Sequence, residues 1–252
     1  MISIGRRRVP AVLGWGGVAA VMIAPVVIAA FSPYLDSRSV PYIVGGFAGI
    51  VCLSLLFLQP LLAAGYLAGS KGPPGRRWHR WVGTAIVSAV ALHVGGLYLA
   101  SPPDTIDALL LVSPTPFSVY GVTAMWGVVA TAILVLFRHR LGLRYSVWRL
   151  VHNGVAAIIV VATVIHALQI EGAMEPGSKW MLCIAVVAAT GVALLDLRVV
   201  KPILKRRGRA PSQSARASSS PASPKEKVPN TTATNLAPSS TAGTSRRSNA
   251  IE

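Results

Sequence analysis

Residues 79–93 read HRWVGTAIVSAVALH, and residues 152–166 read HNGVAAIIVVATVIH. Both stretches begin and end on histidine, so the two histidine pairs share a spacing of 14 residues. In a helix, 14 residues rise about 21 Å and return to within about 40° of the starting direction. Each stretch is therefore expected to form a helix that directs two imidazoles toward one neighbour, at two depths. This is a geometry for two stacked metal cofactors.

The composition around these stretches is that of a membrane protein. Hydrophobic residues make up 53% of the 252 residues and charged residues 13%, and the mean hydropathy is +0.58. Most charge-free runs reach the ~20 residues that a helix needs to cross a bilayer. We predict an all-α membrane protein, a six-transmembrane-helix bundle with a disordered C-terminal tail. The predicted helices cover roughly residues 11–31, 42–68, 79–100, 117–138, 148–170 and 178–199.

The net charge of +16 is distributed by loop. Alternate loops carry either clusters of basic residues or mostly acidic residues. By the positive-inside rule, both termini are cytoplasmic. We expect an integral protein of a bacterial inner (plasma) membrane with no nucleic-acid partner, because topology already accounts for the basicity. The basic clusters are Arg6, Arg7 and Arg8; Lys71, Arg76, Arg77 and Arg80; Arg138, Arg140, Arg144 and Arg149; and Arg198, Lys201, Lys205, Arg206, Arg207 and Arg209.

The two ends of the chain are expected to differ from its middle. We assign residues 1–10 to a cytoplasmic N-terminus, 11–200 to the transmembrane domain and 201–252 to a basic, Ser/Pro/Thr-rich cytoplasmic tail. The first apolar run is long for a signal peptide, so we expect the first helix to be retained. The tail has too few large apolar residues to offset the entropy of its chain. Cys52 and Cys183 are interpreted as small buried apolar residues.

The charge pattern runs the third and fifth predicted helices in the same direction, which sets the depth of each histidine. His79 and His152 lie at the cytoplasmic edge, and His93 and His166 lie toward the outer leaflet. Pairing equal depths gives His79 with His152 and His93 with His166. Two neutral imidazoles facing each other across a bundle are a common way to hold haem iron. Zinc would need further ligands at the same depth. Copper held by two histidines is possible but fits this pattern less well than haem iron.

Several motifs in these two helices resemble the ferric reductase-like transmembrane domain family. The motifs are RWHRWVG at 77–83 followed by His93, and LRYSVWRLVH at 143–152 followed by HAL at 166–168. The family includes ferric reductases, NADPH oxidases and the haem subunit of a bacterial methionine-sulfoxide reductase system. The resemblance covers about residues 42–199. It implies a six-helix bundle with two b-type haems, whose axial ligands would be His79, His93, His152 and His166.

The resemblance also implies partners. Many family members continue into a cytoplasmic flavin and nicotinamide domain, whereas we find no flavin or nicotinamide site within this chain. Electrons are then expected from a separate donor, a flavoprotein reductase or quinol, and they would pass to an acceptor outside the cytoplasm. The predicted activity is that of a di-haem b-type membrane cytochrome, a ferric reductase-like oxidoreductase. A haem-bearing membrane subunit of a periplasmic reductase system is the alternative within this class.

The remaining assignments depend on haem chemistry. Haem propionates prefer basic partners at the water interface, and Arg77, Arg80 and Arg149 are our candidates. His139 lies between two arginines outside either pair, so we expect it to be solvated. The alternative from another functional class is a haem-free membrane transporter or assembly protein. A transporter should show broken helices in related halves, for which only Pro25 and the Gln59–Pro60 pair are candidates.

Overall fold

Prolines and glycines determine where the helices of this protein begin and end. The computed structural model describes the backbone of residues 5–207 and the side chains of residues 11–204. A proline stands in the first turn of five of its helices, where the missing N–H has no intrahelical partner anyway. The α-helices are α1 Gly5–Ala30, α2 Val40–Ala64, α3 Pro73–Ala100, α4 Pro102–Leu109, α5 Pro116–Leu136, α6 Tyr145–Gln169, α7 Pro176–Leu195 and α8 Lys201–Arg207.

Six of these helices are long and apolar enough to cross a membrane: α1, α2, α3, α5, α6 and α7. The predicted all-α, six-helix membrane fold is therefore confirmed, with no strand in residues 5–207. The second helix ends at Ala64 and not at residue 68 as predicted. Gly65 takes the left-handed conformation (φ 71°), and its N–H bonds back to carbonyls of the last turn, which terminates the helix.

The C-terminal part of the bundle stays helical beyond the predicted boundary at residue 200. After α7 the chain passes through a π-helical turn, Asp196–Val200, into α8. Lys201 pairs with Asp196 across this turn at 2.9 Å, and its Nζ donates to the carbonyl of Ala64 at 3.2 Å. The disordered tail predicted from the composition otherwise falls on residues 208–252, which lie outside the described residues.

The core is centred on α2 and α7. Leu53, Leu182 and Val186 are almost fully buried there, and the free thiols of Cys52 and Cys183 lie among them as predicted. In this arrangement α3 packs against α2, and α6 packs against α5 and α7. The first helix joins the bundle through α2 and α7, where Ser54 of α2 donates to the carbonyl of Met22 at 3.1 Å.

The basic clusters of the described chain lie at one end of the bundle. Arg198, after α7, donates to the carbonyl of Arg149 in the first turns of α6 at 2.9 Å. Lys201 reaches the last residue of α2, as described above. These contacts place the end of α7, the end of α2 and the start of α6 side by side. We call this the basic end.

Candidate functional site

The two histidine pairs of the sequence meet in the structure between α3 and α6. His79 faces His152 with ring centroids 6.3 Å apart, and His93 faces His166 at the same 6.3 Å. The planes of the rings are steeply inclined in both pairs, at 73° and 81°. Because the first histidines of the two helices pair, and so do the last, α3 and α6 run parallel. The structure thus brings together the same histidines that were paired from their predicted depths in the membrane.

The outer pair, His93 and His166, is oriented by backbone carbonyls of neighbouring helices. His93 Nδ1 lies 2.7 Å from the carbonyl oxygen of Gly45 in α2, and His166 Nδ1 lies 2.8 Å from that of Phe117 in α5. A carbonyl oxygen can only accept, so each Nδ1 carries the proton and donates. The neutral ring then keeps its lone pair on Nε2, which is the tautomer that a metal ligand needs.

Two glycines make room for the outer imidazoles. A Cβ added at Gly49 would lie 3.0 Å from His93 Nδ1, and one added at Gly121 would lie 2.6 Å from His166 Cε1. Each glycine stands four residues after the residue whose carbonyl accepts the hydrogen bond, Gly45 or Phe117. In an α-helix the position i+4 lies one turn above position i, so a side chain there would cover that carbonyl. The sequence analysis missed both glycines, although an i, i+4 pattern of glycines in α2 is visible.

The inner pair, His79 and His152, is held less symmetrically. His79 Nδ1 lies 3.3 Å from the carbonyl oxygen of Gln59. His152 Nδ1 is buried and has no hydrogen-bond partner among the described residues. Its ring instead stacks on that of Trp148, with centroids 5.3 Å apart and planes within 6° of parallel. One inner imidazole is therefore positioned by a weak hydrogen bond and the other by aromatic stacking.

The geometry of the pairs can be compared with what a metal held by two imidazoles requires. Two metal–nitrogen bonds of about 2.0–2.1 Å account for about 4.1 Å of each separation, leaving about 1.1 Å from each ring centre to its nitrogen. That remainder is the radius of an imidazole ring, so the centroid separation of both pairs equals the one expected for two imidazoles bound on opposite sides of one metal atom. No group of three or more His, Cys, Asp or Glu that could hold a metal ion occurs in the described part of the chain. The donor set suits a metal whose other ligands come from a macrocycle.

The space around the pairs is apolar. Ile86 lies seven residues after His79, and Ile159 lies seven residues after His152; both are 5% exposed. They stand halfway between the inner and the outer pair on their helices. The backbones of α3 and α6 make almost no close approach to each other in residues 5–207. The two helices therefore stand apart at the backbone, with buried isoleucines at the level midway between the two histidine pairs.

The three arginines proposed for propionates lie at the basic end with exposed side chains. Arg149 stands three residues before His152, and its guanidinium lies 5.6 Å from the ring centre of Tyr145. Arg77 and Arg80 line a shallow surface groove on α3 together with Trp81 and Thr84. His139 is exposed at the end of α5, apart from both pairs, as expected for a solvated histidine.

Residues 45–163 match the family described as "Ferric reductase like transmembrane component". These residues form a ferric reductase-like transmembrane region. The resemblance inferred from the motifs is thereby confirmed over residues 45–163, and it supports a role in membrane electron transfer. The ferric reductase-like region begins at Gly45, whose carbonyl orients His93, and it contains three of the four paired histidines; His166 follows three residues beyond its end. No curated protein and no solved structure matches the chain.

Proposed function

We propose that the chain is a membrane cytochrome that binds two b-type haems and carries electrons from the cytoplasmic side to an acceptor at the outer face. The observation that supports this proposal most directly is the pair of stacked histidine couples between α3 and α6. In both couples the ring centroids are 6.3 Å apart, the separation expected of two imidazoles on opposite sides of one metal atom. Their 14-residue spacing puts the two centres about 21 Å apart along the helix axes.

Each of the four histidines has a defined task in this proposal. His79 and His152 hold the inner haem, and His93 and His166 hold the outer one. Bound haem supplies one-electron iron chemistry, and the protein supplies ligation, electrostatics and the exclusion of competing reactions. The carbonyls of Gly45 and Phe117 fix the outer imidazoles in the tautomer that offers Nε2. Ile86 and Ile159 are buried apolar residues at the level between the two centres.

The positive charge at the basic end sets the proposed direction of electron transfer. By the positive-inside rule the basic end faces the cytoplasm, so the His79–His152 pair is the first centre that a cytoplasmic donor reaches. The donor in this proposal is a separate flavoprotein reductase or quinol, and the acceptor lies outside the cytoplasm. Arg149, Arg77 and Arg80 are the proposed partners of the inner propionates. Arg149 is the best supported of the three, since it shares the first two turns of α6 with His152.

The proposal is tested by haem content and by the reduced-minus-oxidised optical spectrum of the detergent-purified chain. We expect two haem b per chain with a low-spin, bis-histidine spectrum. His93→Ala and His166→Ala should each remove one haem, and the double variant should lose no more than either single variant. His79→Ala should remove the other haem.

The matched control is His139→Ala, which changes an exposed histidine outside both pairs and should retain both haems. Wild-type protein that contains no haem after expression with ample haem would refute the proposal. Retention of both haems in His93→Ala would refute the assignment of the ligands while leaving haem binding intact.

A further inference from the structure

A column of three stacked rings leads from the basic end of α6 to the inner histidine pair. Tyr145, Trp148 and His152 stand at positions i, i+3 and i+7, on one side of the first two turns of α6. The rings of Tyr145 and Trp148 are 6.0 Å apart and inclined by 19°, and those of Trp148 and His152 are 5.3 Å apart and inclined by 6°. Tyr145 is 61% exposed, so the column starts at the protein surface.

The anchoring of tryptophans at a membrane interface does not explain Trp148. An interfacial tryptophan keeps its ring partly in lipid and its N–H in a wet, polar layer. Trp78 and Trp180, near the starts of α3 and α7, fit this description in being more than half exposed. The Nε1 of Trp148 is buried without a hydrogen-bond partner among the described residues. Its ring position is therefore set by stacking on His152, at the cost of an unsatisfied donor.

Arginines surround the exposed end of the column. The guanidinium of Arg138, at the end of α5, lies 4.9 Å from the ring centre of Trp148 and 5.8 Å from that of Tyr145. Arg149 lies against the same tyrosine. Arg140 and Arg144 in the intervening loop are exposed, and residues 137–152 contain no Asp or Glu. The column thus opens into a positively charged surface, which favours contact with a negatively charged partner.

We propose that Tyr145, Trp148 and His152 form the electron input path of the inner centre, and that the surrounding arginines bind an acidic, water-soluble flavoprotein. This inference rests on the proposed function and names its donor. With haem held by His79 and His152, each transfer would move one electron from a reduced flavin of the partner to ferric iron, which would become ferrous. The rings are neither oxidised nor reduced in the net step; they provide continuous contact from the surface to the ligand. An exposed, charged surface suits a soluble protein better than an uncharged quinol in the lipid.

The experiment measures how fast the haem of the purified full-length chain becomes reduced after rapid mixing. The probes are reduced flavodoxin, an acidic flavoprotein, and duroquinol, an uncharged lipid-soluble donor. We compare Trp148→Leu, which removes the ring, with Trp148→Phe, which keeps an aromatic ring. Trp126→Leu is the matched control, because that tryptophan is exposed on α5 and lies outside the column. Haem content, the optical spectrum and full reduction by dithionite establish that each variant is intact.

We expect flavodoxin to reduce the wild-type haem, and Trp148→Leu to slow, several-fold, the reduction of the haem that it retains. Trp148→Phe should restore most of the rate, and Trp126→Leu should match the wild type. The rate with flavodoxin should fall by about tenfold or more with rising salt. The relevant range is about 0.01 to 1 M, where the screening length falls from about 30 Å to about 3 Å. Arg138→Gln together with Arg144→Gln should weaken that dependence.

Other outcomes would overturn the inference. A wild-type rate in haem-replete Trp148→Leu would exclude the ring column as the path. A rate that does not respond to salt, or failure of flavodoxin to reduce the wild-type haem at low salt, would exclude the acidic partner, and rapid reduction by duroquinol would then indicate a quinol donor. If Trp148→Leu lost its haem, the test would use the reduction rate of Trp148→Phe and the salt dependence of the double variant Arg138→Gln, Arg144→Gln. A slow Phe variant and an unchanged salt dependence would then refute the inference. Failure of the proposed function itself would be recognised separately, as a wild-type chain without haem.

Discussion

His93 and Gly45 are joined by a hydrogen bond of 2.7 Å between Nδ1 and the carbonyl oxygen, whereas His152 Nδ1 is buried and has no such acceptor among the described residues. His166 resembles His93, with an Nδ1–carbonyl distance of 2.8 Å, and His79 has a longer contact of 3.3 Å. Donation from Nδ1 to a carbonyl makes an imidazole more basic and a stronger metal donor. The outer pair is therefore the stronger donor set.

This asymmetry predicts different reduction potentials for the two proposed haems. Stronger axial donors stabilise ferric over ferrous iron, so the outer haem should have the more negative potential. The proposed inner-to-outer step is then uphill in free energy, and transfer to the acceptor has to drive it. A redox titration of the purified chain should resolve two steps, and the step lost in His93→Ala should be the lower one. A single step, or loss of the higher step in His93→Ala, would contradict the prediction.

The glycines beside the outer histidines predict a second, local effect. A Cβ at Gly121 would lie 2.6 and 2.7 Å from ring atoms of His166, and one at Gly49 would lie 3.0 Å from His93 Nδ1. We expect Gly121→Ala to push the imidazole away from the Phe117 carbonyl and to lower the occupancy of the outer haem. Gly49→Ala should act in the same direction but less strongly.

The matched control for these glycines is Gly154→Ala on α6, where an added Cβ would meet nothing within 4 Å. Haem content per chain and the potential of the remaining outer haem are the measurements. Equal haem loss in the control and in Gly121→Ala would show that the effect is general to α-helical glycines in this protein.

A third prediction concerns the crossing of α2 and α3. A Cβ at Gly96 would lie 2.7 Å from the carbonyl oxygen of Pro41 and 2.8 Å from backbone atoms of Gly45, none of which can rotate away. Gly96→Ala should destabilise the fold by about 1–3 kcal/mol, as overpacking does. Its neighbour Gly95 has open space at the same position and provides the control. Thermal unfolding in detergent should show a lower midpoint for Gly96→Ala alone, and equal midpoints would mean that the helices can separate at little cost.

A fourth prediction concerns pH and the start of α7. Glu175 caps this helix, and hydrogen bonds from the backbone N–H groups of Gly177 and Ser178 lower the pKa of its carboxyl from the usual 4.5. A lowered pKa means that the ionised form stabilises the fold; this contribution is complete above pH 4.5 and is lost as the pH falls through the lowered pKa. Glu175→Gln should therefore flatten the loss of thermal stability in acid. An unchanged acid dependence in this variant would place the responsible carboxyl elsewhere.

The histidine geometry was predictable from the sequence because it depends on spacing alone. A separation of 14 residues fixes both the depth and the direction of two side chains on one helix. The charge pattern then set the parallel direction of α3 and α6, and equal depth paired His79 with His152. The six membrane helices were predictable for a similar reason, since each is a long apolar run between charges.

What the sequence did not predict depends on contacts between helices. Gly49 and Gly121 matter because of the rings that approach them, and those rings belong to other helices. A different kind of contact, the stacking of Trp148 on His152 within α6, depends on the conformations of the two side chains and was not predicted either. The short helix α4 and the helical residues 201–207 were also missed, because neither has the long apolar run that identifies a membrane helix.

Because α3 packs mainly on α2 and α6 mainly on α5, a haem could be inserted between two helices that have few direct contacts. One histidine of each pair is carried by a hairpin of α2 and α3, and the other by a hairpin of α5 and α6. Each outer imidazole is hydrogen-bonded to a carbonyl of its own hairpin. Each hairpin can therefore orient its outer histidine before the two hairpins pack together. Parting the hairpins would open a space between α3 and α6 without breaking a backbone hydrogen bond of either. A cofactor coordinated by one histidine from each hairpin would hold the α2–α3 and α5–α6 hairpins together.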